Sequence, residues 1–150
     1  MLSLEYMAGF TDGEGCFGTR PGSNSPYEPY LVITNVHEGI IREFADSVGE
    51  YTGLNVGYCI STWHSRNRNH RVAYKMYIGA KVLKRLLPLI APYLVVKAGQ
   101  AELVQMILDT VDIKNKIWKL SPEIREFRKE IAESIKELNH GIIYTTKQPA

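Results

Sequence analysis

Only two of the 150 residues are cysteine, and Cys16 and Cys59 lack the spacing of a metal-binding pair. A disulfide framework is excluded, and a reducing compartment is the simpler expectation. Long hydrophobic runs are missing too: the longest, residues 86–96, is too short to cross a bilayer and contains Pro88 and Pro92. No basic leader precedes an apolar core at the start, because Glu5 interrupts the first apolar stretch. These absences point to an intracellular protein with no membrane partner, whether in a prokaryotic cytoplasm or an organelle. With 45% hydrophobic and 23% charged residues the composition is that of an ordinary globular protein, and the length suits a single domain over 1–150.

The most telling absence is of one sign of charge. Residues 51–101 contain no Asp or Glu, yet hold Arg66, Arg68, Arg71, Lys75, Lys81, Lys84, Arg85 and Lys97. All 16 acidic residues fall outside that segment, although the chain as a whole has a net charge of only +2. A separation of that kind makes one face positive, and a polyanion is its natural partner.

Periodicity gives the elements. Ser3 is a candidate N-cap for a short helix over 4–11, with Leu4, Met7, Ala8 and Phe10 as its apolar surface, and Asp12-Gly13-Glu14-Gly15 is expected to break it. Residues 16–20 and 30–34 read as the strands of a long hairpin around the turn-rich PGSNSPYEP. Helical spacing from His37 puts Ile40, Ile41, Phe44 and Val48 on one face, ended by Gly53. A second hairpin follows, 56–63 and 71–78, with the tip HSRNRNH. In 71–78, Val72, Tyr74, Met76 and Ile78 alternate with Arg71, Ala73, Lys75 and Tyr77, one set facing the core and the other outward. Alternation leaves the parity of 56–63 open. Helices are expected at 81–90, 98–111 and 121–138, the last opening on Ser121-Pro122 with Ile124, Phe127, Ile131, Ile135 and Leu138 as a core stripe. The core should occupy 3–111, and the tail 141–150 offers nothing to bury. The order α-β-β-α-β-β-α-α-α is that of an α+β fold with an antiparallel sheet.

The stretch AGFTDGEG, residues 8–15, is the chemical oddity: a helix of small residues running into two carboxylates. Ala8 and Gly9 allow a second backbone to approach, so that a two-fold contact through Ala8, Gly9 and Asp12 would bring two copies of the acidic end together. Asp12 and Glu14 offer the oxygen ligands that hard divalent cations take. The same four residues DGEG also suit a plain helix-to-strand turn.

MAGFTDGEG, residues 7–15, resembles the signature of the LAGLIDADG homing endonucleases, with Met7 for the leading Leu, Phe10 and Thr11 at variable apolar positions and Glu14 as the second acid. The family's order of helix, hairpin, helix, hairpin and helices covers residues 3–111. The resemblance implies an αββαββα fold whose twisted antiparallel sheet binds DNA, with additional C-terminal helices. One motif implies a homodimer. It also implies a site-specific double-strand DNA endonuclease of the intron-homing kind, a nuclease hydrolysing phosphodiesters with Mg2+ or another divalent cation such as Mn2+. On these positions Glu14 becomes the metal ligand, helped by the Gly13 carbonyl, while Asp12 is the more structural acid. Asn35 in ITNVHE stands where relatives hold a residue that orients water, and Lys97 in PYLVVKAGQ where they hold a cation near the scissile phosphate. Some relatives have a further arginine near the place of Gly39, which this chain lacks.

A sheet laid in the major groove reads bases through alternate residues. Arg20, Arg71, Lys75 and Tyr77 are the strand candidates for DNA contact, and Ser23, Asn24, Arg66 and Arg68 extend the reach at the hairpin tips. Two rival functions share the fold: an RNA-binding splicing maturase with intron RNA as partner, and a DNA-binding regulator that no longer cuts. An intact Glu14 and Lys97 favour the nuclease.

Overall fold

A computed structural model describes residues 1–21, 25–61, 71–111 and 120–141. The expected contacts Ser23, Asn24, Arg66 and Arg68, and the tail beyond Gly141, lie outside the described residues. The elements run α1 (Leu4–Glu14), β1 (Gly15–Arg20), β2 (Glu28–Asn35), α2 (Glu38–Thr52), β3 (Tyr58–Ile60), β4 (Tyr74–Gly79), α3 (Ala80–Ile90), a 3-10 turn (Ala91–Tyr93), α4 (Ala98–Leu108) and α5 (Pro122–His140). The expected order is thus the observed one. The four strands form one antiparallel sheet in the order β1-β2-β4-β3.

Register decides which side of the sheet is dry. Phe17 pairs with Leu31 and Leu31 with Ile78, while Ile33 pairs with Met76, and all five are fully buried. Helices α1 to α4 cover this face, supplying Met7, Ile41, Phe44, Leu83, Leu87 and Val104 to the same core. Burying such side chains is worth about 1.5–3 kcal/mol each, which fixes the register, because a slip of one residue would turn the whole set into water. Among the described residues nothing covers the strands' other face.

Three expectations are corrected. Helix α1 does not break at Asp12 but continues to Glu14, since Thr11 bonds back to the Met7 carbonyl and the Gly15 N–H still reaches the Thr11 carbonyl. Alternation fails ahead of β4: Val72 is 53% exposed and Ala73 is buried, the Ala73 carbonyl accepting the Ser61 N–H outside the regular ladder. In α5 the buried line is Arg128, Ala132 and Ile135, with Phe127 exposed, because the contact with α4 and the β1 edge is a narrow strip one step round from the apolar stripe. Asn139 on that side donates to the Phe17 carbonyl at 2.7 Å, closing part of the edge of β1.

Helix ends carry partial charges that must be met. Neither α1 nor α2 has a basic residue in its own last turn, and each is capped by a cation from elsewhere, as is the segment beyond α4. Arg85 of α3 donates to the Thr52 carbonyl at the end of α2, Lys84 to the Val111 carbonyl beyond α4, and Lys97 to the Asp12 carbonyl in the last turn of α1. Asp12 returns the last contact: its carboxylate accepts the N–H groups of Val95 and Lys97, both at 2.8 Å, at the start of α4. Burial alone would raise the Asp12 carboxyl, but the N–H groups of Val95, Lys97 and Val96, with the Lys97 charge, outweigh it and hold it below its ordinary value of 3.8.

A carboxyl held low in the fold stabilises it above its unfolded pKa and loses that contribution as the pH falls through the folded value. Asp12→Asn is therefore expected to cost about 1 kcal/mol in urea unfolding at pH 7, with the gap to wild type closing as the pH falls below 3.8. Glycine positions separate in the same assay. A Cβ on Gly15 would lie 2.7 Å from the Thr11 carbonyl and 3.2 Å from Leu31, so Gly15→Ala should destabilise by about 1–3 kcal/mol, whereas Gly39→Ala, with nothing within 4 Å in the first turn of α2, should gain about 0.5 kcal/mol.

Candidate active site and nucleic-acid interface

Glu14 is the last residue of α1, and it is exposed. Among the described residues it has no ion pair and no side-chain hydrogen bond, in contrast to Asp12 one turn-face away. Gly13 beside it is open, as is Gly9 one turn earlier, where an added Cβ would meet nothing within 4 Å. Glu5, Tyr6, Gly9 and Gly13 are the exposed positions of this helix before Glu14. Ala8 belongs to the opposite face: its side chain is fully buried in the chain's own core and has no surface to offer a second copy. That corrects the expected contact through Ala8, which follows from its small size but not from its direction. Asp12 is partly exposed, with its carboxylate turned to the 95–97 backbone.

Lys97 stands at the C-terminal end of α1. Lys97 is held by both its backbone N–H and its ammonium to Asp12, which sets a positive charge two residues from Glu14 in the same turn. Asn35 is the last residue of β2, two residues past the Ile33 that pairs with Gly15, the residue following Glu14. Its Oδ1 accepts the His37 N–H at 2.9 Å, a local turn into α2 that leaves the amide N–H2 to donate. Among the described residues no group of three or more His, Cys, Asp or Glu gathers to hold a metal. Glu14 is therefore a single hard oxygen donor beside open helix-end carbonyls, a fit for Mg2+ or Ca2+ only if other donors arrive from outside the chain.

The open sheet face carries the expected Arg20, Lys75 and Tyr77, all exposed. Arg20 pairs with Glu28 at 3.4 Å and lies 5.9 Å above the Tyr77 ring, which in turn packs against Tyr30 at 5.2 Å between centroids. Gly18 makes this possible, since a Cβ there would fall 2.6 Å from the Tyr30 ring. Burial pushes the Tyr77 hydroxyl above its usual value in spite of Arg20, so it remains a neutral donor and acceptor. Arg71 is exposed but precedes β4. Tyr30, Val32 and Thr34 of β2 share the face, as do Cys16 and Cys59, which register with Val32 and Lys75. The alternation with Leu31 and Ile33 is the sequence signal for those uncharged β2 residues.

No protein-family model matches the chain. It is 27% identical over 107 residues to the DNA endonuclease I-CvuI of Chlorella vulgaris, an alignment covering 71% of this chain and 64% of that protein. A crystal structure of I-CvuI in complex with a DNA target in the presence of Mg matches 98% of the chain and 85% of its own, at 18% identity and a TM-score of 0.63. The archaeal intron-encoded homing endonuclease I-Vdi141I, complexed with DNA, matches over 91% and 90% at 16% identity and a TM-score of 0.66. The LAGLIDADG homing endonuclease I-GzeII, also in complex with a DNA target, matches over 91% of this chain but 44% of its own, at 16% identity and a TM-score of 0.60. In the sequence alignment this chain spans less than two thirds of the I-CvuI length, and in the structural match less than half of I-GzeII. Motif and architecture agree: the chain carries the LAGLIDADG homing endonuclease fold, with a single motif.

Proposed function

We propose that the chain is a site-specific double-strand DNA endonuclease that works as a homodimer. The observation that carries this reading is Glu14: an exposed carboxylate without a partner among the described residues, at the end of a helix whose outward positions include Gly9 and Gly13. Open glycines on α1 suit close packing of two such helices, which would set two Glu14 side chains beside one axis. The relatives support the substrate, one being a DNA endonuclease and others having been crystallised on DNA.

In that assembly Glu14, with the Gly13 carbonyl, would hold a divalent cation such as Mg2+, the remaining oxygens coming from the partner copy and the DNA phosphate. Such an ion supplies Lewis-acid activation for phosphodiester hydrolysis. Lys97, fixed to the end of α1, adds positive charge where negative charge develops on the phosphate. Asn35 keeps an amide donor for the attacking water once its oxygen is committed to the α2 turn. Tyr77, Arg20 and Lys75, with Tyr30 and Thr34, would read base edges and phosphates from the open face, and a two-fold protein calls for a roughly palindromic target.

Cleavage selection tests the reading: purified protein and Mg2+ on a randomised duplex library, beside Glu14→Gln. Staggered breaks at a pseudo-palindrome are expected, falling at least about 100-fold in the variant while duplex binding persists. Binding without cutting by both proteins would replace the nuclease with a DNA-binding regulator, and preference for RNA over duplex would replace it with a maturase.

A further inference from the structure

Arg128 lies in the middle of α5 and is 1% exposed, the largest of the fully buried side chains. It has no carboxylate within ion-pair distance among the described residues. Burying a guanidinium without a counter-ion is costly, so each of its nitrogens must find an acceptor. They are spent on two other parts of the chain. Nε donates to the Thr110 hydroxyl at 2.8 Å and Nη2 to the Thr110 carbonyl at 3.3 Å, just past α4. Nη1 donates to the Ser25 hydroxyl at 3.1 Å and the Pro26 carbonyl at 3.3 Å, on the return side of the β1–β2 connection.

The position of those last two contacts matters. Tyr27 follows at once with φ 59°, an unfavourable backbone for a residue with a side chain, and the surroundings must hold it. Glu28 comes next, pairing in register with Arg20 and accepting from its guanidinium. Arg20 then covers Tyr77 on the open face. A chain of contacts thus runs from the C-terminal helix to the outer end of the exposed sheet.

We propose that Arg128 is a positioning residue for sequence discrimination: by clamping Ser25 and Pro26 to α4 and α5 it sets the conformation of the first hairpin's outer end, and with it the aim of Arg20 and Tyr30. The role in discrimination rests on the DNA-binding reading of the sheet, while the clamp itself does not. Lysine cannot replace it, since one ammonium cannot bridge Thr110 and both hairpin groups as a planar fork does.

Hydrogen exchange and target binding on the full chain separate the two parts. Arg128→Lys, and Ser25→Ala in case the first variant folds poorly, should speed exchange about tenfold at Arg20, Glu28 and Tyr30 while Ile33 and Met76 stay protected. Both should weaken binding to the selected target about tenfold and flatten discrimination at the outer base pairs, with binding to unrelated duplex and turnover at saturating DNA unchanged. Folded variants with unaltered exchange at Arg20, Glu28 and Tyr30 overturn the clamp, whatever the sheet binds. A loosened hairpin with the wild-type discrimination profile overturns the role in specificity. Wild-type protein with no duplex preference would defeat the DNA-binding reading instead, and exchange would still judge the clamp.

Discussion

Two helix ends of opposite polarity meet at Asp12 and Lys97, and the arrangement of the candidate site depends on that meeting. The last turn of α1 presents carbonyls and the start of α4 presents N–H groups, so a carboxylate and an ammonium exchanged between them complement both ends at once. Sequence neighbours could not do this, since 85 residues separate the partners. The exchange uses up the first acid of DGEG and leaves the second, Glu14, exposed at the helix end. One acid holds the turn together and the other is available for chemistry.

The same economy governs the basic residues of 51–101. A carboxylate-free segment suggests a surface given over to a polyanion, but Arg85 and Lys97 are engaged with the carbonyl ends of α2 and α1, and Lys84 with the Val111 carbonyl beyond α4. Lys75 faces outward from the sheet, and Arg71, ahead of β4, is exposed. Among the described residues, the segregated charge therefore serves two ends: internal contacts, and an exposed set from which Lys75 shares the sheet face with aromatic rings and hydroxyls. Arg20 from outside that segment belongs to the exposed set, steered by Glu28 and Tyr77.

Elements were legible where a single periodicity ruled. The alternation within β4 and the helical spacing in α2 gave the core face, and Ser3, Ser121 and Gly53 marked ends that the structure keeps. Helix α1 ran three residues past its expected end because two glycines and two acids look like a breaker locally, while Lys97 supplies the compensating cap from a distant part of the chain. The small size of Ala8 suggests an interface, whereas its direction puts it in the core. Arg128 was invisible: a basic residue among glutamates looks like solvated surface, and only the meeting of α5, Thr110 and Ser25 makes a buried place for it. Glu14 and Lys97 were legible as a motif, but the way Asp12 ties one to the other was not.

The central claim is that Glu14 from two copies of the chain meets a divalent cation at one axis on the DNA. Anomalous scattering from crystals of the protein with a palindromic duplex and Mn2+ tests it directly. The account predicts manganese peaks within coordination distance of the Glu14 carboxylates of two chains packed through α1. Manganese bound away from Glu14, or a complex in which α1 faces solvent, would contradict it.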